Sequence, residues 1–488
     1  MSLLLNTYHR LPYAAKVAAA SLRGAILRER RYGANTGSWV AQALERESWS
    51  PQRWQQEREL WLERTLAEAR RSSRGHHLAA QGRDLHRLEE WPILTKGEVR
   101  RRPRALVPGG RLPRRALREH TSGSTGTPLV LWWSRNASHR WYALVEARMR
   151  RWNGVRLDEP WALIGGQLVA PVNRQRPPYW VWNLASKQLY LSAYHLRPGT
   201  ATDYVRALAK HRVTHLLGYP SALADLAHFA QQEGASPPPM RVILSNAEPL
   251  TAERRQRIEG FFGCPVRDSY GLAEITAAAS ECEAGALHWW PEVGWLEVLD
   301  DDDLPVPPGQ PGRLVATGLL NDAMPLVRYE TGDRVRMTTD DEPPCPCGRR
   351  LPRLAAVEGR LDDVLVTPEG LRVGRLDPIF KSQLPIHGAQ ILQDRRDRAV
   401  LRLVPANGYR PQHGDELLQR LRQRLGNSMR LELELMERLP RTSAGKVRSV
   451  VRTFPLEDDP SSSPSSEGSD GASDGVSNGA SNGAAKGA

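Results

Sequence analysis

Eight consecutive residues, Thr121, Ser122, Gly123, Ser124, Thr125, Gly126, Thr127 and Pro128, are small, hydroxyl-bearing or both, and they run directly into the apolar stretch Leu129–Trp133. Gly123 and Gly126 permit backbone turns that are closed to other residues. Successive N–H groups in such turns converge on an anion, and neighbouring hydroxyls add donors. No lysine follows the second glycine, so this is not a Walker loop, and a plain turn ahead of a strand would use the same residue types. Downstream, Asp268-Ser269-Tyr270-Gly271-Leu272-Ala273-Glu274 leads from a strand-like run into a glycine turn and then an acid. Tyr270 can offer a ring to stack on a base and Glu274 can hold magnesium. A strand-end turn with a solvated glutamate reads the same way. Asp333 follows Thr331-Gly332, where it can accept hydrogen bonds from a ribose diol or close an Asx turn. Gly359-Arg360, with Asp362 and Asp363 ahead of a strand, suits a hinge or a surface hairpin. Lys446 is one of only seven lysines in a chain that otherwise uses arginine. A compact, mobile ammonium that reaches an alkoxide or phosphate is one reason to keep a lysine there.

A second constellation uses sulfur. Cys282 and His288 stand six residues apart, and Cys345 and Cys347 lie in Pro-Cys-Pro-Cys-Gly, a glycine-ended knuckle. Three thiolates and an imidazole from two segments suit a closed tetrahedral zinc site. Such a site would join the loop after Glu274 to the loop before the hinge. Four unrelated loop residues remain the alternative. Cys264 is expected to be a small buried apolar residue. His120 abuts the hydroxyl-rich loop, and its position suits a solvated or packed ring. Trp161 and Trp182 lie in a region that could line an acyl pocket.

The elements that must hold these residues follow from periodicity. Residues 1–114 read as a helical N-terminal portion, with Trp54, Trp61, Leu62 and Leu66 near one helix face. Residues 115–361 alternate short apolar runs with amphipathic segments, which argues for an α/β core with largely parallel sheets. Within it, 295–319 reads as a hairpin around a Pro/Gly/Asp turn. Residues 362–455 suit a small, mobile α+β domain after the hinge. Residues 456–488, rich in Ser, Gly, Asp and Asn, cannot bury enough apolar area to offset their ordering entropy and are expected to be disordered.

The chain carries a net charge of +13; its last 33 residues net −5, leaving +18 on the rest. A basic body favours anionic ligands. No aromatic-basic module of the kinds that bind RNA or DNA is visible, so no nucleic-acid partner is expected. No apolar run is long enough to span a bilayer. The N-terminus lacks a basic region followed by a long apolar run, so no signal peptide is expected. It reads as a basic amphipathic helix, expected to pack against the body, with weak membrane-surface contact as the alternative. Four cysteines do not form a disulfide framework, and a reducing cytoplasm is the expected location.

Taken in order, these motifs resemble those of the adenylate-forming (AMP-binding acyl-CoA synthetase, or ANL) superfamily over roughly residues 115–450. TSGSTGTP resembles its phosphate loop, and SNAEPL at 245–250 its adenine-contacting turn. SYGLAE, YETGD, GRLDD and RTSAGK follow in the family's order. Within the superfamily the chain is most similar to the phenylacetate–CoA ligase family, in its capsular-polysaccharide-associated or coenzyme F390 synthetase-like branch. PILTKGEVR, GYPSAL, AMPLVRYETGD and PCPCGRRLPRL carry that likeness.

The resemblance implies an α/β fold with a large adenylate-forming domain of several subdomains and a small mobile α+β C-terminal domain. It implies a ligase that first forms an acyl-adenylate from ATP and a carboxylic acid, and then a thioester with coenzyme A. In that reading residues 121–127 and Lys446 face phosphate, Glu274 holds Mg²⁺, and Ala247, Glu248 and Pro249 contact adenine. Asp268, Ser269, Tyr270 and Gly271 line the nucleotide, with Tyr270 stacked on adenine, and Asp333 and Arg360 hold ribose and phosphate. Asp362 is the hinge. Similar Cys/His spacing in this branch implies a structural Zn²⁺, and the family makes a homodimer plausible. Two positions depart from the pattern: Ala273 stands where a threonine is usual, and Asn246 where a glycine is. The rival readings are an adenylating enzyme that passes its acyl group to a carrier-protein thiol, sugar or amine, and a degenerate nucleotide-binding protein. Drift away from catalysis should strike Glu274, Asp333, Arg360 and Lys446 first, and all four are present.

Overall fold

The computed structural model describes residues 3–120, 129–171, 173–339, 341–360, 365–369, 372–373, 384–442 and 447–454. Residues 121–128, Asp362, Lys446 and the tail 456–488 lie outside them, as does the side chain of Arg360.

The N-terminal portion is helical: α1 Leu3–Arg10, α2 Tyr13–Arg31, α3 Thr36–Glu45, α4 Pro51–Arg70, α5 Ser73–Ala80 and α6 Lys96–Arg101. Sequence signals start these helices. Ser50 caps α4 with Pro51 at its first position, and Thr95 with Glu98 forms a capping box on α6. Trp54 and Leu66 of α4 are buried, while Trp61 and Leu62 are half-buried beside them.

The hairpin β1 Leu117–His120 and β2 Val130–Trp133 follows, with His120 opposite Val130 and exposed. The hydroxyl-rich stretch connects these two strands. Helix α7, Arg135–Val145, then leads through a π-helical turn, Glu146–Arg150, into the main sheet.

That sheet is built from β3 Trp161–Gly165, β4 Trp180–Asn183, β5 Gln188–Ser192, β6 His215–Gly218, β7 Val242–Asn246, β8 Val266–Gly271, β9 Ala278–Glu281 and β10 Leu287–Trp289. The strand order is β10-β9-β8-β7-β6-β3-β5-β4. The run from β8 to β5 is parallel, and both flanks are antiparallel. The central strands are apolar on both faces because helices cover both. Helices α8 Ala201–Lys210, α9 Pro220–Gln232 and α10 Ala252–Phe262 cover one face and share a buried core with Ile164, Leu191, Leu216 and Ile243. The opposite core joins α3 and α7 to Leu244, Ile275, Trp290 and Leu314.

A four-stranded antiparallel sheet comes next: β11 Gly294–Leu299, β12 Pro311–Gly318, β13 Tyr329–Met337 and β14 Leu354–Arg360. Its first pair is the hairpin read from sequence at 295–319. Beyond the short pair β15 Leu365–Val366 and β16 Arg372–Val373, the C-terminal lobe holds β17 Ile386–Arg395, β18 Arg398–Pro405, α11 Pro411–Leu425, β19 Arg430–Leu435 and β20 Val450–Arg452. It has its own core, in which Leu417 and Leu421 of α11 pack on Ile391, Leu401 and Leu403.

One buried ion pair ties α7 to the region after β10. Arg148, in the π-helical turn, donates to both oxygens of Glu292 at 2.6 Å, and both side chains are at most 1% exposed. Removing one partner leaves an uncompensated buried charge. Glu292→Ala is therefore expected to lower unfolding free energy by about 3–5 kcal/mol. A denaturant titration with an unshifted midpoint would show that the pair is dispensable.

Candidate active site

In a parallel sheet the strands' carboxyl ends lie together, and loops leaving them converge. Strands β6, β7 and β8 are in register, with Gly218 beside Ser245 and Asn246 beside Ser269. The chain therefore delivers Tyr219, the turn Ala247-Glu248-Pro249 and the segment Tyr270–Glu274 to one end of the sheet. Gly218 must be glycine: a Cβ there would lie 2.4 Å from Ile164 Cγ2. Ala247 takes φ of 66°, a left-handed conformation that normally selects glycine or asparagine.

Asp268 is held from two sides. Ser245 Oγ donates to its Oδ1 at 2.5 Å, and its own backbone N–H donates to Glu281 at 2.9 Å. Burial pushes its carboxyl up to about 6, against the hydrogen bond from Ser245. Ser269 Oγ donates to the Ser245 carbonyl at 2.7 Å, locking β7 to β8.

Glu274 is buried, and its Oε1 accepts from the Tyr329 hydroxyl at 2.7 Å. Each partner adjoins a strained residue: Ile275 has φ of 46° and Arg328 φ of 48°. Such conformations persist only where surroundings over-determine them. Arg328 is fixed by Glu297 at 3.1 Å and the Trp91 carbonyl at 3.0 Å. Trp133 Nε1 donates to the Ala273 carbonyl at 3.1 Å, holding the turn before Glu274.

Asp333 is buried in β13, and its Oδ2 accepts from the Tyr270 hydroxyl at 2.7 Å. Its backbone neighbour across the ladder is Arg360, the last residue of β14. Segment Leu94–Lys96 runs along the start of β13, with Leu94 N donating to Arg328 O at 2.8 Å and Glu330 N to Leu94 O at 3.0 Å. This brings Lys96 to Thr331-Gly332, at the irregular stretch of β13, where a Cβ on Gly332 would meet Lys96 Nζ at 2.7 Å.

Glu248 is buried and bridges two chain segments: its Oε2 accepts from Ser221 N at 3.0 Å, and its Oε1 from Val447 N at 2.7 Å. Val447 follows Lys446 directly.

Glu274, Asp268–Gly271, Ala247–Pro249 and Asp333 are thus brought to one region. Residues 121–127, Asp362 and Lys446 lie outside the described residues. Trp161 and Trp182 do not reach this end. Trp161 begins β3, at the opposite end of the parallel strands, and stacks on His215 at 6.1 Å. Trp182 stacks on His211 at 4.4 Å. Tyr329 and Lys96 escaped sequence reasoning although both sit inside quoted motifs, YETGD and PILTKGEVR. Each sits there as a positioning or charge-bearing neighbour, and nothing in residue type alone distinguishes it.

The sulfur constellation closes. The ligand atoms of Cys282, His288, Cys345 and Cys347 lie within 4.8 Å of one another. Cys282 and Cys345 sulfurs are 3.6 Å apart, and Cys347 Sγ is 3.4 Å from His288 Nε2. His288 Nδ1 faces the Leu351 carbonyl at 3.1 Å, which fixes the proton there and leaves Nε2 free to ligate. Burial keeps the ring neutral, its pKa pushed down to about 4. Gly348, at φ of 76°, turns the knuckle. Arg349 closes the outer side, paired to Glu47 at 2.9 Å and Glu283 at 2.6 Å. Cys264 is buried alone in the α8–α10 core.

Residues 116–321 match the AMP-binding enzyme family, and residues 365–453 match the CapK C-terminal domain. Protein CapK of Staphylococcus aureus is 25% identical over 75% of this chain and 80% of its own length. The phenylacetate–coenzyme A ligase of Pseudomonas putida is 28% identical over 50% of this chain, an alignment that covers 55% of the ligase. Among solved structures, a 2-hydroxyisobutyryl-CoA ligase in its postadenylation state, in complex with 2-HIB-AMP, superposes with a TM-score of 0.63 at 21% identity. That match covers 84% of this chain and 91% of the ligase, so the fold is shared.

Residues 116–321 carry the AMP-binding enzyme domain, and together with the CapK and phenylacetate–coenzyme A ligase relatives they support a place in the adenylate-forming superfamily, on its phenylacetate–coenzyme A ligase-like and CapK branch. These matches support a likeness to AMP-forming acid–thiol ligases, and the chain spans about half the length of the phenylacetate–coenzyme A ligase of Pseudomonas putida. Among the described residues no helix is long and apolar enough to cross a membrane.

Proposed function

We propose that this chain activates a carboxylic acid with ATP and transfers the acyl group to the thiol of coenzyme A. The observation that carries the reading is the convergence of Glu274, Asp333, Tyr270 and the Ala247–Pro249 turn at the carboxyl ends of β6–β8 and beside β13, with Val447 held at the same place by Glu248. In the first step a carboxylate oxygen attacks the α-phosphorus, the bond to the bridging β-phosphate oxygen breaks, and pyrophosphate leaves with the electron pair. In the second a thiolate attacks the acyl carbon, the acyl–oxygen bond breaks, and AMP leaves.

The difficulty of the first step is the meeting of two anions. Glu274, aimed by Tyr329, would hold the magnesium that offsets this charge, while residues 121–127 and Lys446 would supply donors to the phosphates. Asp333, oriented by the Tyr270 hydroxyl, would hold the ribose, with Arg360 across the ladder. The Tyr270 ring and the Ala247-Glu248-Pro249 turn would flank the adenine. Asp362 would be the pivot about which the C-terminal lobe exchanges faces between the two steps.

ATP–pyrophosphate exchange with a panel of aryl, fatty and sugar-derived acids tests this reading. Exchange that depends on one class of acid identifies the substrate. Absence of exchange across the panel, with ATP still bound, would leave a nucleotide-binding protein without ligase chemistry. A second reading keeps the adenylate and changes the acceptor to a carrier-protein thiol, sugar or amine. It draws on the match of the C-terminal lobe to the CapK C-terminal domain, because that lobe would shape the acceptor's face. Product analysis with and without coenzyme A separates the two.

The four ligand atoms at Cys282, His288, Cys345 and Cys347 suit a structural zinc, which would join the β9–β10 hairpin to the 345–348 knuckle and, through Arg349 and Glu47, to the end of α3. Purified protein is expected to carry an equimolar amount of zinc. Cys345→Ser should lose the metal and lower the melting temperature by about 10 °C. Metal analysis beside a thermal scan checks this, and an unchanged melting temperature in a metal-free wild type would remove zinc from the fold. With its four cysteines free of disulfides, a reducing cytoplasm suits the chain.

A further inference from the structure

One face of α9 is turned toward the C-terminal lobe. Ser221, Asp225 and His228 recur at the spacing that aligns side chains along a helix, and all three touch that lobe. Arg441 donates to Ser221 Oγ at 3.0 Å and to Asp225 Oδ2 at 2.7 Å, and its side chain is 15% exposed. The ring of His228 lies 3.7 Å from that of His387, which sits near the start of β17. Burial, with the Arg257 guanidinium on α10, lowers the pKa of both imidazoles, and His228 itself adds to the shift at His387, which favours the neutral rings that can meet without repulsion. The fourth contact is Glu248, whose two oxygens accept from Ser221 N and Val447 N. Arg441 and Val447 bracket the chain that contains Lys446, five and one residues from it.

Charge and burial explain why these contacts form a latch. Glu248 has both oxygens engaged in a buried place, and one of its donors comes from the C-terminal lobe. When the lobe leaves, Oε1 loses its partner, and Asp225 loses its guanidinium. Both losses have a cost that redocking removes.

We infer that Ser221, Asp225 and His228 on α9, together with Glu248, form a docking face for the C-terminal lobe, and that Arg441 and Val447, seated on it, position Lys446 for the adenylation step alone. This rests on the ligase reading above. These are positioning residues, since none of the contacts on which the latch depends reaches reacting atoms. The thioester step uses another face of the lobe and should not need them.

The test uses the full chain with Asp225→Arg, Arg441→Asp and the double exchange. Acid-dependent pyrophosphate exchange should fall about tenfold in each single variant and return to within about threefold of wild type in the double. Thioester formation from supplied acyl-adenylate should stay within about twofold in all three. Loss of both steps alike, or no recovery in the double variant, would overturn the latch. Hydrogen exchange gives a readout that needs no activity. The amide of Val447 should be protected in wild type, exposed in the single variants and protected again in the double. Unaltered protection in the single variants would also overturn the latch. If wild type shows no pyrophosphate exchange with any acid while protection follows this pattern, the docking face stands and the ligase reading falls.

Discussion

Glu274→Gln is expected to lower acid-dependent ATP–pyrophosphate exchange by about 10²–10³ and to raise the magnesium concentration needed for half-maximal rate. The substitution separates two roles of one side chain. Glutamine still presents an oxygen to the Tyr329 hydroxyl, so the 2.7 Å hydrogen bond that aims residue 274 can persist. What disappears is the negative charge. If Glu274 only anchors Tyr329, rate and magnesium requirement both stay near wild type. If it holds the metal, magnesium titration curves separate while thermal stability is retained. Tyr329→Phe provides the complementary case: it keeps the charge and loses the aim, and should give a smaller defect.

Lys446→Ala should reduce the same exchange by a comparable factor, about 10²–10³, because an ammonium at developing phosphate charge is worth most in the transition state. Thioester formation from supplied acyl-adenylate should change by no more than about threefold, since in the proposed mechanism the lobe would present a different face in that step. Lys446→Arg is not expected to rescue, because a planar guanidinium on a longer side chain does not replace a compact point charge. Equal loss in both steps would show that Lys446 supports the fold of its loop instead. The same pair of assays reads the Asp225–Arg441 exchange, so the lysine and the docking contacts can be compared on one scale.

Much of the proposed nucleotide site was legible in sequence because it rests on short, continuous motifs. An anion turn needs glycines and hydroxyls side by side, as at residues 121–128. A ligand placed at a strand's end needs a strand-like run and then a glycine turn, as in Val266–Glu274. Periodicity likewise disclosed the helical start, the α/β core and the hairpin at 295–319, since each rests on spacing of two to four residues. The sulfur cluster was legible for another reason: so few cysteines occur that any grouping draws notice.

Tertiary structure decided how those pieces face one another. Tyr329 meets Glu274 across 55 residues, and Tyr270 meets Asp333 across 63. No local pattern encodes either meeting; sheet register does. Trp161 and Trp182 illustrate the limit. Their place in the chain suggested an acyl pocket, yet β3 and β4 deliver them to stacking partners away from the strands' carboxyl ends. The docking face on α9 was hidden for the same reason. Ser221, Asp225 and His228 form no motif that sequence alone singles out, and Arg441 reaches Asp225 from 216 residues away. Residue types and their spacing along the chain were enough to determine which family of chemistry this protein resembles, because the motifs proposed to meet phosphate and metal are local. Which residues aim them, and which hold the C-terminal lobe in place, depended on packing between segments far apart in sequence, where hydrogen bonds form only after the cores have set the distances.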